Sequence, residues 1–112
     1  MDCLFCKIVD GQIPSEKIYE DEYVYAFYDI DKQAPIHFLV VPKKHITSID
    51  QISEDDKALL ADILLSIKNI AKQLNITNGY RIINNVGVDG AQSVGHMHFH
   101  VLAGRRLSWP PG

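Results

Sequence analysis

Three of the five histidines of the chain stand at alternate positions in the stretch GHMHFHVLAGR. They are His96, His98 and His100, and apolar residues fill the positions between them. In a β-strand, residues two apart lie about 7 Å apart on the same face. The spacing therefore predicts a row of imidazoles on one face of a strand, with the intervening apolar residues in the core. A half-buried strand with a polar outer face would account for one histidine, but three in register on that face favour a functional role.

Two kinds of chemistry use a row of this kind. Two imidazoles spaced H-x-H can bind one metal ion, and a neutral imidazole can attack phosphorus while its neighbours hold the oxyanion. The preceding loop favours phosphorus chemistry. Its residues Gly90 and Ala91 let the backbone approach a ligand, and Gln92 and Ser93 offer donors.

The elements that must position this row are predicted from the hydrophobic pattern. Strands are expected at residues 23–30, 36–45 and 80–86 and at the histidine row itself. One long helix is expected after Ser53, a good N-cap residue, with Asp56 three positions later. Its apolar stripe consists of Leu59, Ile63, Ile67, Ile70 and Leu74. Strands on both sides of one helix predict an α+β domain, an antiparallel sheet with helix on one face.

Composition limits the class of protein. The 112 residues, 46% of them hydrophobic and 22% charged, suit a single domain over residues 1–112. The net charge is −3 and no Lys/Arg run is present, so no nucleic-acid partner is expected and the pair Arg105–Arg106 is interpreted as solvated charge. No apolar run approaches the ~20 residues that span a bilayer, and no signal peptide is evident, so we expect no membrane partner and a cytoplasmic location.

The segment HMHFHVL resembles the H-φ-H-φ-H-φ-φ signature of the histidine triad (HIT) superfamily of nucleotide hydrolases and transferases. The segments FYDIDKQAPIHFLVVPKKHI, NNVGVDGAQSVGHMHFHVLAGR and WPPG are similar to the Hint branch, the histidine triad nucleotide-binding proteins. The resemblance implies a HIT-like fold, which has a five-stranded antiparallel sheet with one long and one short helix. It also implies a homodimer in which the sheets join and the C-terminal tail reaches the other subunit's active site.

The resemblance further implies an enzyme that hydrolyses the P–N bond of purine nucleoside 5'-phosphoramidates and releases AMP or GMP. His98 corresponds to the nucleophile that forms a nucleotidyl-histidine intermediate, and His100 to a residue that holds a phosphate oxygen. Ser93 corresponds to the serine that passes a proton to the departing amine. The phosphate cradle would be completed by Asn85 and by the backbone at Ala91, Gln92 and Ser93.

Other positions match the nucleoside part of the family's site. Asp29 corresponds to a carboxylate that binds the ribose hydroxyls. His37 corresponds to a histidine near the site that contacts the site residues and not the nucleotide. The base pocket would be walled by Leu4, Phe5, Ile8, Phe27, Ile30 and Leu39. An apolar pocket selects a purine by its shape and makes few hydrogen bonds to its polar edge. We therefore expect adenine and guanine to be accepted alike.

Two cysteines spaced C-x-x-C raise the question of a metal. Cys3 and Cys6, together with His45 and His96, make a Cys2His2 set suited to tetrahedral zinc. Several bacterial members of the family carry such a site at matching positions, whereas the better-known Hint enzymes of higher organisms lack the cysteines, so the resemblance implies a structural Zn²⁺. We expect no organic cofactor. Two unligated thiols are the alternative.

Three other functions compete with the phosphoramidase. The same pocket could serve a regulatory or scaffold nucleotide-binding protein with incidental turnover, or a dinucleoside polyphosphate hydrolase. A metallohydrolase with a catalytic zinc on the histidine row is disfavoured because no carboxylate is expected near the triad.

Overall fold

A computed structural model describes residues 2–112. Its single sheet has five antiparallel strands in the order β1-β2-β3-β5-β4. In chain order the elements are α1 (Leu4–Val9), β1 (Lys17–Glu20), β2 (Val24–Tyr28), β3 (Ile36–Pro42), α2 (Lys57–Gln73), β4 (Arg81–Asn84) and β5 (Phe99–Ala103). Two short 3-10 turns, Ile49–Gln51 and Glu54–Asp56, precede α2. The expected α+β architecture with one long and one short helix is confirmed.

The long helix α2 covers one face of the sheet. Ser53 and Asp56 form the expected capping box, but the box begins the 3-10 turn and the α-helix starts only at Lys57. Of the predicted apolar stripe, Ile63, Ile67 and Ile70 are buried and its two ends are partly buried. This core is completed by strand residues that point toward α2, among them Val24, Ala26, Phe38, Val40 and Val101.

The opposite face of the sheet carries the short helix α1. The strand residues that alternate with those of the first core, such as Phe27 and Leu39, point toward α1 and pack with its Phe5 and Ile8. Because successive strand residues face opposite sides, the chain builds two separate apolar clusters from the same strands. The second cluster is small and leaves part of this face open.

The histidine strand is shorter than the pattern predicts. β5 begins at Phe99, so His96 and His98 precede it. The reason lies in their backbone partners: Met97 N–H donates to the carbonyl of Ile46, and the His98 carbonyl accepts from the side chain of Asn84. These two bonds take the place of sheet pairing at residues 97 and 98. The strands expected at 23–30, 36–45 and 80–86 are likewise shorter, and β1, which lacks clear alternation, was not predicted.

The C-terminal residues after β5 form no helix or strand. Trp109 is 80% exposed, and Arg81 donates from Nη1 to the Ser108 carbonyl at 3.0 Å. Within residues 2–112, no helix has the length and apolar character needed to cross a membrane.

Candidate active site

The three alternating histidines share one side of the chain, as predicted. His96 and His98 are buried and His100 is half-buried, on the α1 side of the sheet. Met97 and Val101 are fully buried in the α2 core on the other side. The two-residue period therefore persists through 96–98 even though the hydrogen bonding is not that of a strand.

His98 is held in one tautomer by its own chain. Its Nδ1 lies 2.8 Å from the carbonyl oxygen of His96, and since a carbonyl only accepts, Nδ1 carries the proton. In the neutral ring Nε2 then keeps its lone pair. The ring of Phe5 stands edge-on to His98 with centroids 5.0 Å apart. This arrangement presents a fixed, unprotonated nitrogen, which a nucleophilic imidazole requires.

His100 receives its orientation through a chain of hydrogen bonds. The backbone N–H of Gln33 donates to Nδ1 of His37 at 3.1 Å, so the proton of a neutral His37 sits on Nε2. That Nε2–H donates to Nδ1 of His100 at 2.9 Å. The remaining proton of His100 is therefore on Nε2, where it can donate to a ligand.

Burial keeps this pair of imidazoles uncharged at neutral pH. Burial, helped by His98 and His37, lowers the pKa of His100 to about 4, although Asp29 opposes the shift. Burial also lowers the pKa of His37, against the attraction of Asp29 and Asp31. Both rings consequently keep the donor and acceptor roles assigned above.

Asp29 lies at the end of β2 beside this pair. Its Oδ2 is 3.4 Å from His37 Nε2 and 3.9 Å from His100 Nδ1. The expectation that no carboxylate lies near the triad is therefore wrong, because the Asp29 N–H donates to the His37 carbonyl at 3.0 Å and extends the pairing of β2 with β3 by one residue. Its Oδ1 accepts the Asp31 N–H at 2.8 Å, which fixes the carboxylate.

A cavity of about 470 Å³ joins these groups. Nearly all the residues predicted for base, ribose and chemistry line it, namely Leu4, Phe5, Ile8, Phe27, Asp29, Ile30, Leu39, Ser93, His98 and His100. Sequence reasoning missed the remainder, which are Ile13, Pro14, Ser15, Glu16, Tyr28, Lys32 and Val94. Except for Tyr28, the last residue of β2, these residues lie in connecting segments, which no periodic pattern marks. The strand order places the histidines at one end and residues 13–16 at the other.

A second, larger groove of about 660 Å³ lies between the β1–β2 turn, the end of β3 and the start of α2. Carboxylates and lysines line it, and Lys44 is paired with Asp56 at 2.8 Å. It contains no histidine or cysteine, so the smaller cavity is the candidate active site.

The loop before the histidines uses many of its polar groups internally. The N–H of Ala91 donates to Val88 and that of Gln92 to Gly87, while the Gln92 amide donates to the carbonyls of Thr47 and Val94. A Cβ at position 90 would lie 2.4 Å from the Val86 carbonyl oxygen, so glycine is required there for packing.

Ser93 is the polar residue of this loop that lines the cavity, and it is exposed. Among the described residues, its hydroxyl and its backbone N–H have no hydrogen-bond partner, so both are available to a ligand. Asn85 is half-buried and does not line the cavity. Its neighbour Asn84 instead holds the His98 carbonyl at 2.9 Å, which supports the backbone of the predicted nucleophile.

The predicted zinc ligands converge at the other end of the histidine row. The Nδ1 of His96 is 3.4 Å from Cys3 Sγ, 3.5 Å from Cys6 Sγ and 3.2 Å from His45 Nδ1. Cys6 Sγ is 3.4 Å from His45 Nδ1, and all four ligand atoms lie within 4.8 Å of one another. Ligands bonded to zinc at about 2.0–2.3 Å in a tetrahedron are roughly 3.3–3.8 Å apart, so the four residues fit the ion.

The surroundings of this cluster also suit a metal. His96 donates from Nε2 to the Pro42 carbonyl at 2.8 Å, which turns its Nδ1 lone pair toward the sulfurs. Burial is the main factor that lowers the pKa of His96. Burial and the neighbouring Cys3 raise the pKa of the Cys6 thiol to about 11 in the absence of a cation.

Comparison with known proteins agrees with this architecture. Residues 10–107 match the HIT domain family. An uncharacterized HIT-like protein of Synechococcus elongatus is 45% identical over 111 residues, which cover 99% of this chain and 97% of that protein. The chain belongs to the HIT family.

Solved structures give the same answer. A HIT family hydrolase from Legionella pneumophila superposes with a TM-score of 0.96 at 47% identity, covering 99% of this chain and all of the other. A histidine triad protein from Clostridium difficile gives 0.93 at 49% identity, with 96% and 95% covered. A histidine triad nucleotide-binding protein from Candida albicans gives 0.81 at 36% identity, with 97% and 83% covered.

Proposed function

We propose that the protein hydrolyses purine nucleoside 5'-phosphoramidates at the P–N bond through a nucleotidyl-histidine intermediate on His98. The observation that carries the proposal is the His98 ring, whose Nδ1–H is bound to the His96 carbonyl inside a cavity lined by Ser93, His100 and Asp29. Similarity to a HIT family hydrolase and to a histidine triad nucleotide-binding protein supports hydrolysis and nucleotide binding.

In the first step, the lone pair of His98 Nε2 forms a bond to phosphorus and the bond from phosphorus to the amine nitrogen breaks. The leaving nitrogen takes a proton through the Ser93 hydroxyl, which is replenished from solvent, because an amide anion is a very poor leaving group. His100 Nε2–H donates to a phosphate oxygen and stabilises the charge on that oxygen in the transition state.

In the second step, water attacks phosphorus and the bond to His98 Nε2 breaks. The products are the nucleoside monophosphate and a neutral imidazole, and the proton of the attacking water passes to solvent. Asp29 holds the ribose hydroxyls throughout. The apolar wall formed by α1, β2 and β3 accommodates either purine.

We also propose that Cys3, Cys6, His45 and His96 hold one structural Zn²⁺. When bound, the ion would cross-link α1 to the histidine segment and supply no chemistry at phosphorus. Phe5 stands between the two cysteines in the sequence and lines the cavity. Its ring contacts both His96 and His98 edge-on. Zinc would thus fix one wall of the base pocket. Metal analysis should find one zinc per chain, and a metal-free protein with unchanged stability in chelator would refute this.

A homodimer is the assembly that we propose. β4 is an edge strand, and Ile82 on its α2-facing side is 41% exposed. Leu64 and Leu65 on α2 are each 54% exposed. An unpaired edge strand and exposed apolar helix residues on the same face of the sheet are suited to sheet pairing between two copies. Light scattering should give twice the mass of 12.6 kDa, and a monomer at micromolar concentration would contradict it.

One set of kinetic measurements tests the proposed reaction. Steady-state turnover of an adenosine phosphoramidate is compared with turnover of a diadenosine polyphosphate and with binding of AMP. Rapid phosphoramidate cleavage is expected. AMP binding without turnover would instead indicate a scaffold or regulatory protein, and preference for the polyphosphate a dinucleoside polyphosphate hydrolase. Because Asp29 does lie near the triad, activity is also measured in strong chelator, where a metallohydrolase would lose turnover.

A further inference from the structure

Arg105, interpreted from sequence as solvated charge, makes defined contacts. Its Nε and Nη2 donate to the backbone carbonyl of Gln33 at 3.2 and 2.9 Å, and its Nη1 donates to the Arg106 carbonyl at 3.3 Å. The two bonds to Gln33 tie the chain just after β5 to the loop between β2 and β3. The side chain of Arg106 makes no hydrogen bond or ion pair with the described residues.

The local backbone brings Arg105 to this position. Gly104 has φ +95°, and a Cβ there would lie 2.9 Å from Cβ of Pro35. The chain therefore turns tightly against Pro35 as it leaves β5, which only glycine permits. The next residue, Arg105, then lies beside Gln33, two positions before that proline.

Gln33 is the origin of the hydrogen-bond chain that orients the phosphate donor. Its N–H donates to His37 Nδ1, and His37 Nε2–H donates to His100 Nδ1. If Gln33 moves away, His37 Nδ1 loses its donor and the ring is free to change tautomer. His100 would then no longer be held with its remaining proton on Nε2.

Few contacts from outside the loop hold this part of it, one being that of Lys32, whose Nζ lies 5.2 Å from the centroid of the Tyr28 ring. The residues from Ile30 to Gln33 are all exposed, and the bonds from Asp31 N–H to Asp29 and from the Gln33 amide to the Asp31 carbonyl stay within the loop. Arg105 supplies charge-assisted bonds from outside it. Hydrogen bonds with a charged partner are stronger than neutral ones.

We propose that Arg105 is a positioning residue for the active site, acting through Gln33 and His37 to fix the tautomer and orientation of His100. The inference rests on the proposed function for its effect on turnover. Its effect on the imidazoles is independent of what the substrate is.

The test compares Arg105→Ala with Arg105→Lys and with the matched control Arg106→Ala. Imidazole ¹⁵N NMR reports the tautomers of His37 and His100, and steady-state kinetics on an adenosine phosphoramidate reports kcat and KM. For Arg105→Ala we expect mixed tautomers at both histidines and a roughly fivefold to tenfold loss in kcat with little change in KM, because the phosphate contact tightens in the transition state. Arg105→Lys should lose less, since an ammonium can still donate to the Gln33 carbonyl without the guanidinium fork. Arg106→Ala should match the wild type.

Two results would overturn the inference. One is an Arg105→Ala protein whose imidazole spectra match those of Arg106→Ala. The other is a loss of turnover with unchanged tautomers, which would show that the effect does not pass through His37. If the wild type cleaves no phosphoramidate, the proposed function fails, yet the NMR comparison still decides the positioning role.

Discussion

The two ends of the histidine row place the same residue type in two different surroundings. His96 gives its Nε2–H to the Pro42 carbonyl and turns Nδ1 toward two sulfurs and His45. His100 accepts at Nδ1 from His37 and turns Nε2–H outward. In each case the partner of one ring nitrogen decides what the other nitrogen can do.

His98 lies between these ends and follows a third arrangement. Its Nδ1–H is bound within its own chain, to the carbonyl two residues earlier. The row thus divides into a residue suited to a metal, a residue suited to attack and a residue suited to donate. The alternating spacing alone distinguishes none of the three, since all share one face.

The largest expected effect comes from removing the attacking nitrogen. His98→Ala should fold and still bind AMP, but turnover should fall by several orders of magnitude because the covalent route is lost. Rapid-quench trapping of a nucleotidyl-protein should detect the adduct in the wild type and none in the variant. His100→Ala is the matched control, with slower turnover but a detectable adduct. The reverse pattern would exchange the roles of the two histidines.

Ser93→Ala should have the next largest effect, and it should depend on the leaving group. P–N cleavage should fall by about 100-fold, within the range of general acid catalysis. Cleavage of a nitrophenyl ester should fall much less, since nitrophenolate leaves without a proton. Steady-state kinetics on the two substrates makes the comparison. Equal losses would mean that Ser93 only positions the phosphate.

The fold followed closely from sequence pattern because burial leaves a clear periodicity. The α2 stripe and the alternation of core residues through Met97 and Val101 are set by which face is apolar. The start of β5 at Phe99 was not predictable in this way. It depends on two long-range hydrogen bonds, from the Met97 N–H to the Ile46 carbonyl and from the Asn84 side chain to the His98 carbonyl, that no local pattern encodes.

The site was predictable where it coincides with a motif. The triad, Asp29, Ser93 and the four proposed zinc ligands were predicted by spacing or by family resemblance, and the structure places them in two adjacent groups. Ser15, Glu16 and Lys32 at the cavity, and Arg105 behind it, were not found. Their positions depend on how the loops cross the sheet, and charged loop residues usually face solvent.

Removing the sulfurs should separate the metal end of the row from the catalytic end. Cys3→Ser with Cys6→Ser should lower the melting temperature by several degrees, because the proposed zinc would cross-link α1 to the histidine segment and its binding would favour the folded chain. Nucleotide binding should weaken severalfold as α1 frays, while kcat at saturating substrate should stay within about twofold. Calorimetry and steady-state kinetics provide the readouts. A double variant as inactive as His98→Ala would contradict a purely structural metal.

The smallest expected effect is on stability and comes from protonation of His100, at the catalytic end of the row. The folded pKa of His100 is about 4, below the ordinary 6.5, so the unfolded chain takes up a proton first as the pH falls. Stability from this histidine is therefore complete above pH 6.5 and is lost between pH 6.5 and 4, by about 2 kcal/mol from pH 7 to pH 5. Burial causes most of this shift; His98 and His37, which face the ring, add to it, and Asp29 opposes it. The free energy of unfolding of the wild type and of His100→Gln is measured in urea at both pH values. Other titrating groups contribute to both proteins, so the difference between the two losses is the contribution of His100. The wild type should lose more stability than the variant, and an equal loss would show that His100 is protonated as readily in the folded protein as in the unfolded chain.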